Sequence, residues 1–169
     1  MSDDAEHLTN GRSGANAYSQ PSDATRDAEH NADALVRHYL EARGCADFIV
    51  AGGLDGLLDR WDATAASVER GYDGLLDEYL NDMDLRDILA EALDAAALPD
   101  ESPVRQRVDA ADARVRAATV ACGPIWGPEV AESETMDPAI QWWYFVRPKN
   151  PRADLRAELQ AEGLLGEAR

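Results

Sequence analysis

The sequence predicts a predominantly α-helical α+β fold of about five to six helices with a small C-terminal antiparallel β hairpin. Three observations predict it. Apolar residues recur at three- and four-residue steps between residues 33 and 118, the period of helices with one buried face. After Gly123-Pro124 the texture changes, and Ile140-Gln141-Trp142-Trp143-Tyr144-Phe145-Val146 forms an aromatic and β-branched run with strand propensity. Residues 1–31 are polar, with Leu8 and Tyr18 nearly the only large apolar side chains. That segment reads as a disordered acidic tail, because it cannot bury enough surface to offset its chain entropy. Residues 32–169 then form a single globular domain.

The elements follow in order. Asn31 or Asp33 caps a first helix that carries Leu35, Val36, Tyr39 and Leu40 and stops at Gly44. The short apolar run Phe48-Ile49-Val50 leads to Gly52-Gly53. A strongly amphipathic helix then places Leu54, Leu57, Leu58, Trp61, Ala65 and Val68 on one face and ends at Gly71. From Tyr72 to Ala97 two apolar stripes alternate, Leu76/Tyr79/Leu80/Met83 and Leu85/Ile88/Leu89/Leu93. The sequence Asn81-Asp82-Met83-Asp84 between them predicts a kink or turn, with Asp84 and Asp87 capping a new helix. Ser102 as N-cap and Pro103 as the first helical residue start the next helix, which runs to about Ala118. Thr119-Val120-Ala121-Cys122 reads either as its continuation or as an extended segment. Residues 119–126 are the expected antiparallel partner of the aromatic strand. Asn150-Pro151 opens a last helix with Leu155 and Leu159 inward, ended by Gly163.

Charge sets the next constraint. The chain of 169 residues has a formal net charge of -17 and a pI of about 4.3, and 45% of its residues are hydrophobic. Asp outnumbers Glu by 20 to 13, 15 of the 16 bases are Arg, Lys149 is the only lysine, and 30 residues are Ala. This usage resembles that of proteins from salt-accumulating haloarchaea or another high-GC halophile. At molar salt the Debye length is ~3 Å, so the self-repulsion of such a surface is largely screened. The acidity is therefore read first as solvent adaptation and only second as a clue to a basic partner. The acidic start Met1-Ser2-Asp3-Asp4 has no apolar region of a signal peptide. No apolar stretch approaches the ~18 residues of a membrane span. The expected location is the cytoplasm.

Motifs for chemistry are absent. Cys45 and Cys122 form no CxxC pair and read as small buried hydrophobes. The stretch from Asp82 fails as a calcium loop, since its sixth position is Asp87 rather than Gly and its twelfth is Leu93 rather than Glu. His7 and His30 lie in or beside the tail; His38 has Glu41 and Asp47 nearby in sequence but no oriented partner that sequence shows, and Ser67 and Ser133 lie in no nucleophile elbow. Lys149 follows no phosphate loop, and Ala51-Gly52-Gly53-Leu54-Asp55-Gly56 lacks GxGxxG spacing. That glycine stretch reads as a tight turn into a helix, whose N-terminus is also an anion site in principle. No catalytic residue, metal or cofactor is assigned.

One segment departs from the acidic background. Residues 147–156 hold Arg147, Lys149, Arg152 and Arg156 against Asp154, a net charge of +3, directly after Trp142-Trp143-Tyr144-Phe145. Aromatics beside Arg and a helix start fit a phosphate, a base or an acidic partner. The competing account is that alternate aromatics enter the core while the bases neutralise the protein's own acidic helices. Trp126, Trp142, Trp143, Arg147, Lys149 and Arg152 are the candidate ligand- or partner-binding residues. The leading functional expectation is a non-enzymatic interaction or regulatory protein of adaptor, antitoxin or immunity type, with a protein partner or self-association and no membrane. A nucleotide- or nucleic-acid-associated protein and an enzyme with a motif-free site are the alternatives.

Overall fold

The computed structural model describes residues 23–166, with side chains from His30 onward. The elements are α1 (Asp23–Ala42), α2 (Asp47–Glu69), α3 (Leu76–Ala95), α4 (Pro103–Ala118), β1 (Thr119–Ala121), α5 (Pro128–Ser133), a 3-10 turn (Trp142–Phe145), β2 (Val146–Pro148) and α6 (Ala153–Ala161). The fold is a predominantly helical α+β arrangement with one two-stranded antiparallel sheet. Helix α1 begins at Asp23, so the expected boundary at residue 31 falls inside a helix. Residues 1–22, which hold most of the expected tail, lie outside the described residues.

Helix α1 stops where Gly44 takes φ 77, and the Cys45 amide returns to the Leu40 carbonyl at 3.0 Å. Helix α2 begins earlier than its apolar stripe, at Asp47, and breaks at Gly53 (φ 57, ψ −149). That conformation belongs to glycine alone among the common residues. Helix α1 caps both sides of the break. Arg37 Nη1 donates to the carbonyls of Val50 (2.8 Å) and Ala51 (2.7 Å), while Asp33 Oδ1 accepts from the Leu54 amide (2.8 Å). The two side chains also pair with each other at 2.7 Å. Burial alone would raise the Asp33 carboxyl, but Arg37 and the Leu54 amide outweigh it and hold the group below its usual range. The free amide at this helix N-terminus thus meets the chain's own carboxylate. The break also turns the chain back. Phe48 and Arg60 would lie ~18 Å apart along a straight helix, yet Arg60 sits over the Phe48 ring at 4.9 Å.

Helix α3 runs unbroken from Leu76 to Ala95, which corrects the kink expected near residues 81–84. It packs against α1, α2, α6 and the 3-10 turn. A helix enclosed on several sides buries more than one stripe, and two stripes on one helix resembled two helices in sequence. The acids between them, Asp82 and Asp84, bond side chains of neighbouring elements and leave the backbone ladder intact. Its start is Leu76 and not Tyr72, because Gly71 (φ 96) and Tyr72 (φ 45) both adopt left-handed conformations. The core joins Val36 and Leu40 of α1, Leu57, Trp61 and Ala65 of α2, Tyr79, Met83 and Leu89 of α3, Val115 of α4, and Leu155 and Leu159 of α6.

Strand β1 pairs antiparallel with β2 in the register Thr119↔Pro148, Val120↔Arg147, Ala121↔Val146. The ambiguous residues after α4 are therefore extended, and the partner lies where the sequence placed it. The strand expected over 140–146 is corrected. Residues Trp142–Phe145 form a 3-10 turn and the strand starts at Val146. A half-buried strand would send one of two adjacent tryptophans to solvent, whereas Trp142, Trp143 and Tyr144 are all buried. Residues 122–145 separate the strands, so the pair is closed by a long strap rather than a tight turn.

Replacing Gly53 with Ala should lower the unfolding free energy by about 1–3 kcal/mol from backbone strain alone. The new Cβ would also strike Asp33 Oδ1 and the Arg37 guanidinium, which adds to the loss. Urea denaturation checks this, and a change below ~0.5 kcal/mol would refute the capped break.

Candidate functional site

The basic-aromatic segment does not assemble into one exposed surface. Trp142 and Trp143 are only 7% and 3% exposed. The Arg116 guanidinium lies over Trp142 at 3.8 Å and that of Arg86 over Trp143 at 4.5 Å. Trp126 is half-buried and its indole N–H donates to Asp84 at 3.1 Å. Arg147 donates to the carbonyls of Leu164 (2.9 Å) and Pro148 (3.3 Å). Lys149 Nζ donates to the Ala117 carbonyl at 2.7 Å, at the C-terminal end of α4 where a cation meets the negative dipole end. Arg152 pairs with Asp73 at 2.9 Å. Lys149 also borders a shallow cleft of about 300 Å³ with Arg114, Glu69 and Asn150.

The most buried polar cluster sits between α2, α3 and α4. Asp112, 9% exposed, accepts from Trp61 Nε1 (2.8 Å), Arg86 Nε (2.8 Å) and Arg86 Nη2 (2.7 Å). This is a bidentate arginine–carboxylate pair with a third donor on the same oxygen. Among the described residues, Arg86 Nη1 and Trp143 Nε1 are buried without a hydrogen-bond partner. The sequence reading missed this cluster. Asp112 looked like one acid among many, and only its place on the buried face with Val108, Ala111 and Val115 sets it apart.

A second group lies along α3. Asp84, Asp87 and Glu91 follow the spacing of one helix face. Asp84 Oδ1 accepts from the Tyr144 hydroxyl (2.9 Å) and from Trp126, and Asp87 accepts from Gln141 Nε2 (3.1 Å). Glu91 accepts from Tyr39 and Arg43, and Arg43 also donates to the Tyr39 hydroxyl at 2.7 Å. One face of α3 therefore ties down α1 and the strap. Burial pushes the Asp84 carboxyl above its usual range, further than the bonds from Tyr144 and Trp126 pull it down. Asp82 is raised in the same way, with the Tyr72 hydroxyl (2.7 Å) and Thr64 as its donors. The hydroxyls of Tyr72, Tyr79 and Tyr144 are also pushed up, mainly by burial. Burial lifts the Cys122 thiol to about 11, so it is protonated at neutral pH and a poor nucleophile.

A groove of about 440 Å³ opens where α2 turns into α3, lined by Ser67, Tyr72, Asp73, Gly74, Glu78, Asn81 and Asp82. Leu75, next to Gly74 in the chain, is 48% exposed, and Phe48 near the start of α2 is 62% exposed. Among the described residues no group of three or more His, Cys, Asp or Glu side chains could hold a metal ion. Among them, too, no helix is long and apolar enough to cross a membrane. Comparison with known proteins found no family model, no curated protein and no solved structure that matches the chain.

Asp112→Ala should destabilise the fold by about 3–5 kcal/mol, because it leaves the Arg86 charge buried and unpaired. Chemical denaturation measures it, and a loss under ~1 kcal/mol would show that the pair does not hold the helices. Asp84→Asn tests the strap. The folded carboxyl is raised above its ordinary value of 3.8, so its contribution to stability is present below that pH and fades as pH rises through the folded value. An amide keeps an acceptor for Tyr144 and Trp126 without the buried charge. The stability difference should therefore shift in favour of the Asn variant as pH rises from about 4 to 7. A pH-independent difference would refute the assignment.

Proposed function

We propose that this protein is a non-enzymatic interaction protein, of adaptor, antitoxin or immunity type, that works in a salt-rich cytoplasm by binding another protein. The observation that carries the reading is Phe48. The chain has two phenylalanines, and this one is held at the surface with 62% of its area exposed and the Arg60 guanidinium over its face. An aromatic ring braced by an arginine is the kind of anchor enriched at the centre of protein interfaces. Its exposure forfeits burial worth about 1.5–3 kcal/mol for such a side chain.

The polar interior supports the same reading. The carboxylates of Asp82, Asp84 and Asp112 each accept from the chain's own hydroxyl, indole or guanidinium donors, an arrangement suited to holding elements together. The basic segment favoured a nucleotide- or nucleic-acid-associated role, but Arg147, Lys149 and Arg152 all rest on acceptors within the chain. Carboxylate-dense, lysine-poor composition supports operation at high salt, where apolar anchors matter more than screened surface charge.

Tagged wild-type protein and Phe48→Ala, both recovered from a native high-salt lysate, should differ in one co-purifying protein that mass spectrometry identifies. Unchanged circular dichroism of the variant shows that the fold survives. A monomer without a partner, or identical partners with both proteins, would overturn the reading.

A further inference from the structure

The sequence Asp-Gly-Leu-Leu-Asp occurs twice, at residues 55–59 and 73–77. The two copies are identical, and the fold treats them differently. The first lies inside α2, with helical backbone on both sides of the Asp55–Gly56 bond. A helix fixes the rotation about each Cα–C bond, and turning one out of the helical well breaks hydrogen bonds of the ladder. The second copy straddles the turn into α3, which begins only at Leu76. Gly71 and Tyr72 before it adopt φ 96 and φ 45, and Leu75 after the Asp73–Gly74 pair is extended (φ −80, ψ 173). Among the described residues the Gly74 amide donates to no acceptor, while the next amide, of Leu75, donates to Glu78 Oε2 at 2.8 Å. The Asp73 side chain is 74% exposed and meets Arg152 in a surface ion pair at 2.9 Å, a restraint worth little. Gly74 has no Cβ to shield its amide from the neighbouring carboxyl.

We infer that Asp73 is a site of spontaneous aspartate isomerisation and that Asp55, in the same local sequence, is protected by its helix. The Gly74 amide nitrogen attacks Cγ of the protonated Asp73 carboxyl. A C–N bond forms, the C–OH bond breaks, and the hydroxyl leaves with the amide proton as water, closing a five-membered succinimide. One solvent water then opens the ring. Breaking the bond from nitrogen to Cγ restores aspartate. Breaking the bond from nitrogen to the main-chain carbonyl leaves the chain running through Cγ, which is isoaspartate. Mass is unchanged overall, and no electrons are exchanged. The product adds one atom to the main chain directly after two left-handed residues. In that turn the Gly71 carbonyl accepts from the Arg152 amide at 2.9 Å, and the Tyr72 hydroxyl donates to Asp82 at 2.7 Å. Isomerisation therefore slackens the joint between α2, α3 and the start of α6.

The full chain, aged in warm neutral buffer, is digested with trypsin and labelled with an isoaspartyl methyltransferase. Cleavage after Arg43, Arg60, Arg70 and Arg86 separates residues 44–60 from residues 71–86, and fragmentation locates the altered residue. The label should appear at residue 73 and be absent from residue 55. Ageing in guanidinium chloride, which removes the helix, should bring residue 55 up to the level of residue 73. Asp73→Glu keeps the charge but must close a six-membered ring, so its 71–86 peptide should lose the label with circular dichroism unchanged. An unlabelled residue 73, equal labelling of both copies in the folded protein, or continued protection of residue 55 in denaturant would overturn the inference.

Discussion

Asp112 accepts from Trp61 and bidentately from Arg86, so one carboxylate on α4 sets how closely α2 and α3 approach it. Arg86 in turn covers Trp143, which places the 3-10 turn on the same centre. A buried ion pair adds little net stability, because desolvating both charges cancels much of the attraction. Its effect is to penalise every arrangement that separates the partners. Slipping α4 by one position along its axis would replace Asp112 with Ala111 or Ala113 and strand the guanidinium in the core. The apolar core of leucines and alanines would tolerate such a slip far better than the charge does.

Helix α3 carries the second constraint. It packs against α1, α2, α6 and the 3-10 turn and still spends inward positions on carboxylates. Asp82 and Asp84 are held by neutral donors, which lessen but do not remove the cost of burying charge. The strap and the turn after α2 gain directional bonds in exchange. Apolar contacts alone could not position Trp126, Tyr144 and Tyr72 so specifically, since packing is non-directional. The acidic composition thus serves inside the molecule as well as on its surface.

Sequence reading succeeded where the determining forces are local. Ser102 accepts from the Arg105 amide at 3.2 Å, Gly44 and Gly163 take positive φ at helix ends, and Leu155 and Leu159 are fully buried. It failed where partners are distant along the chain. Trp61 and Asp112 are 51 residues apart, and nothing near either residue announces the bond. The continuity of α3 was hidden because enclosure by several neighbours, not propensity, decides how many faces a helix buries. The aromatic run has the composition of a strand, yet the bonds of Ile140 and Gln141 to the Asp137 carbonyl begin coiling the chain before it can extend. The candidate surface followed the same division. Trp142 and Trp143 were conspicuous by residue type and are core, whereas Phe48, in the short apolar run before the expected glycine turn, is exposed.

The strand pair also closes a loop. The register of β1 and β2 is extended by Cys122 N–H to Phe145 and Ile125 N–H to Tyr144, both at 2.9 Å, so the chain that leaves at residue 126 returns at residue 141 to a fixed point. Its entropy of closure grows only slowly with length, by about 0.6 kcal/mol for each doubling. Residues 127–140, with α5 carrying no buried side chain and Ile140 69% exposed, therefore form the one stretch of this part of the molecule where added sequence is nearly free. A fluorescent or affinity module inserted there would report on the protein without disturbing its centre.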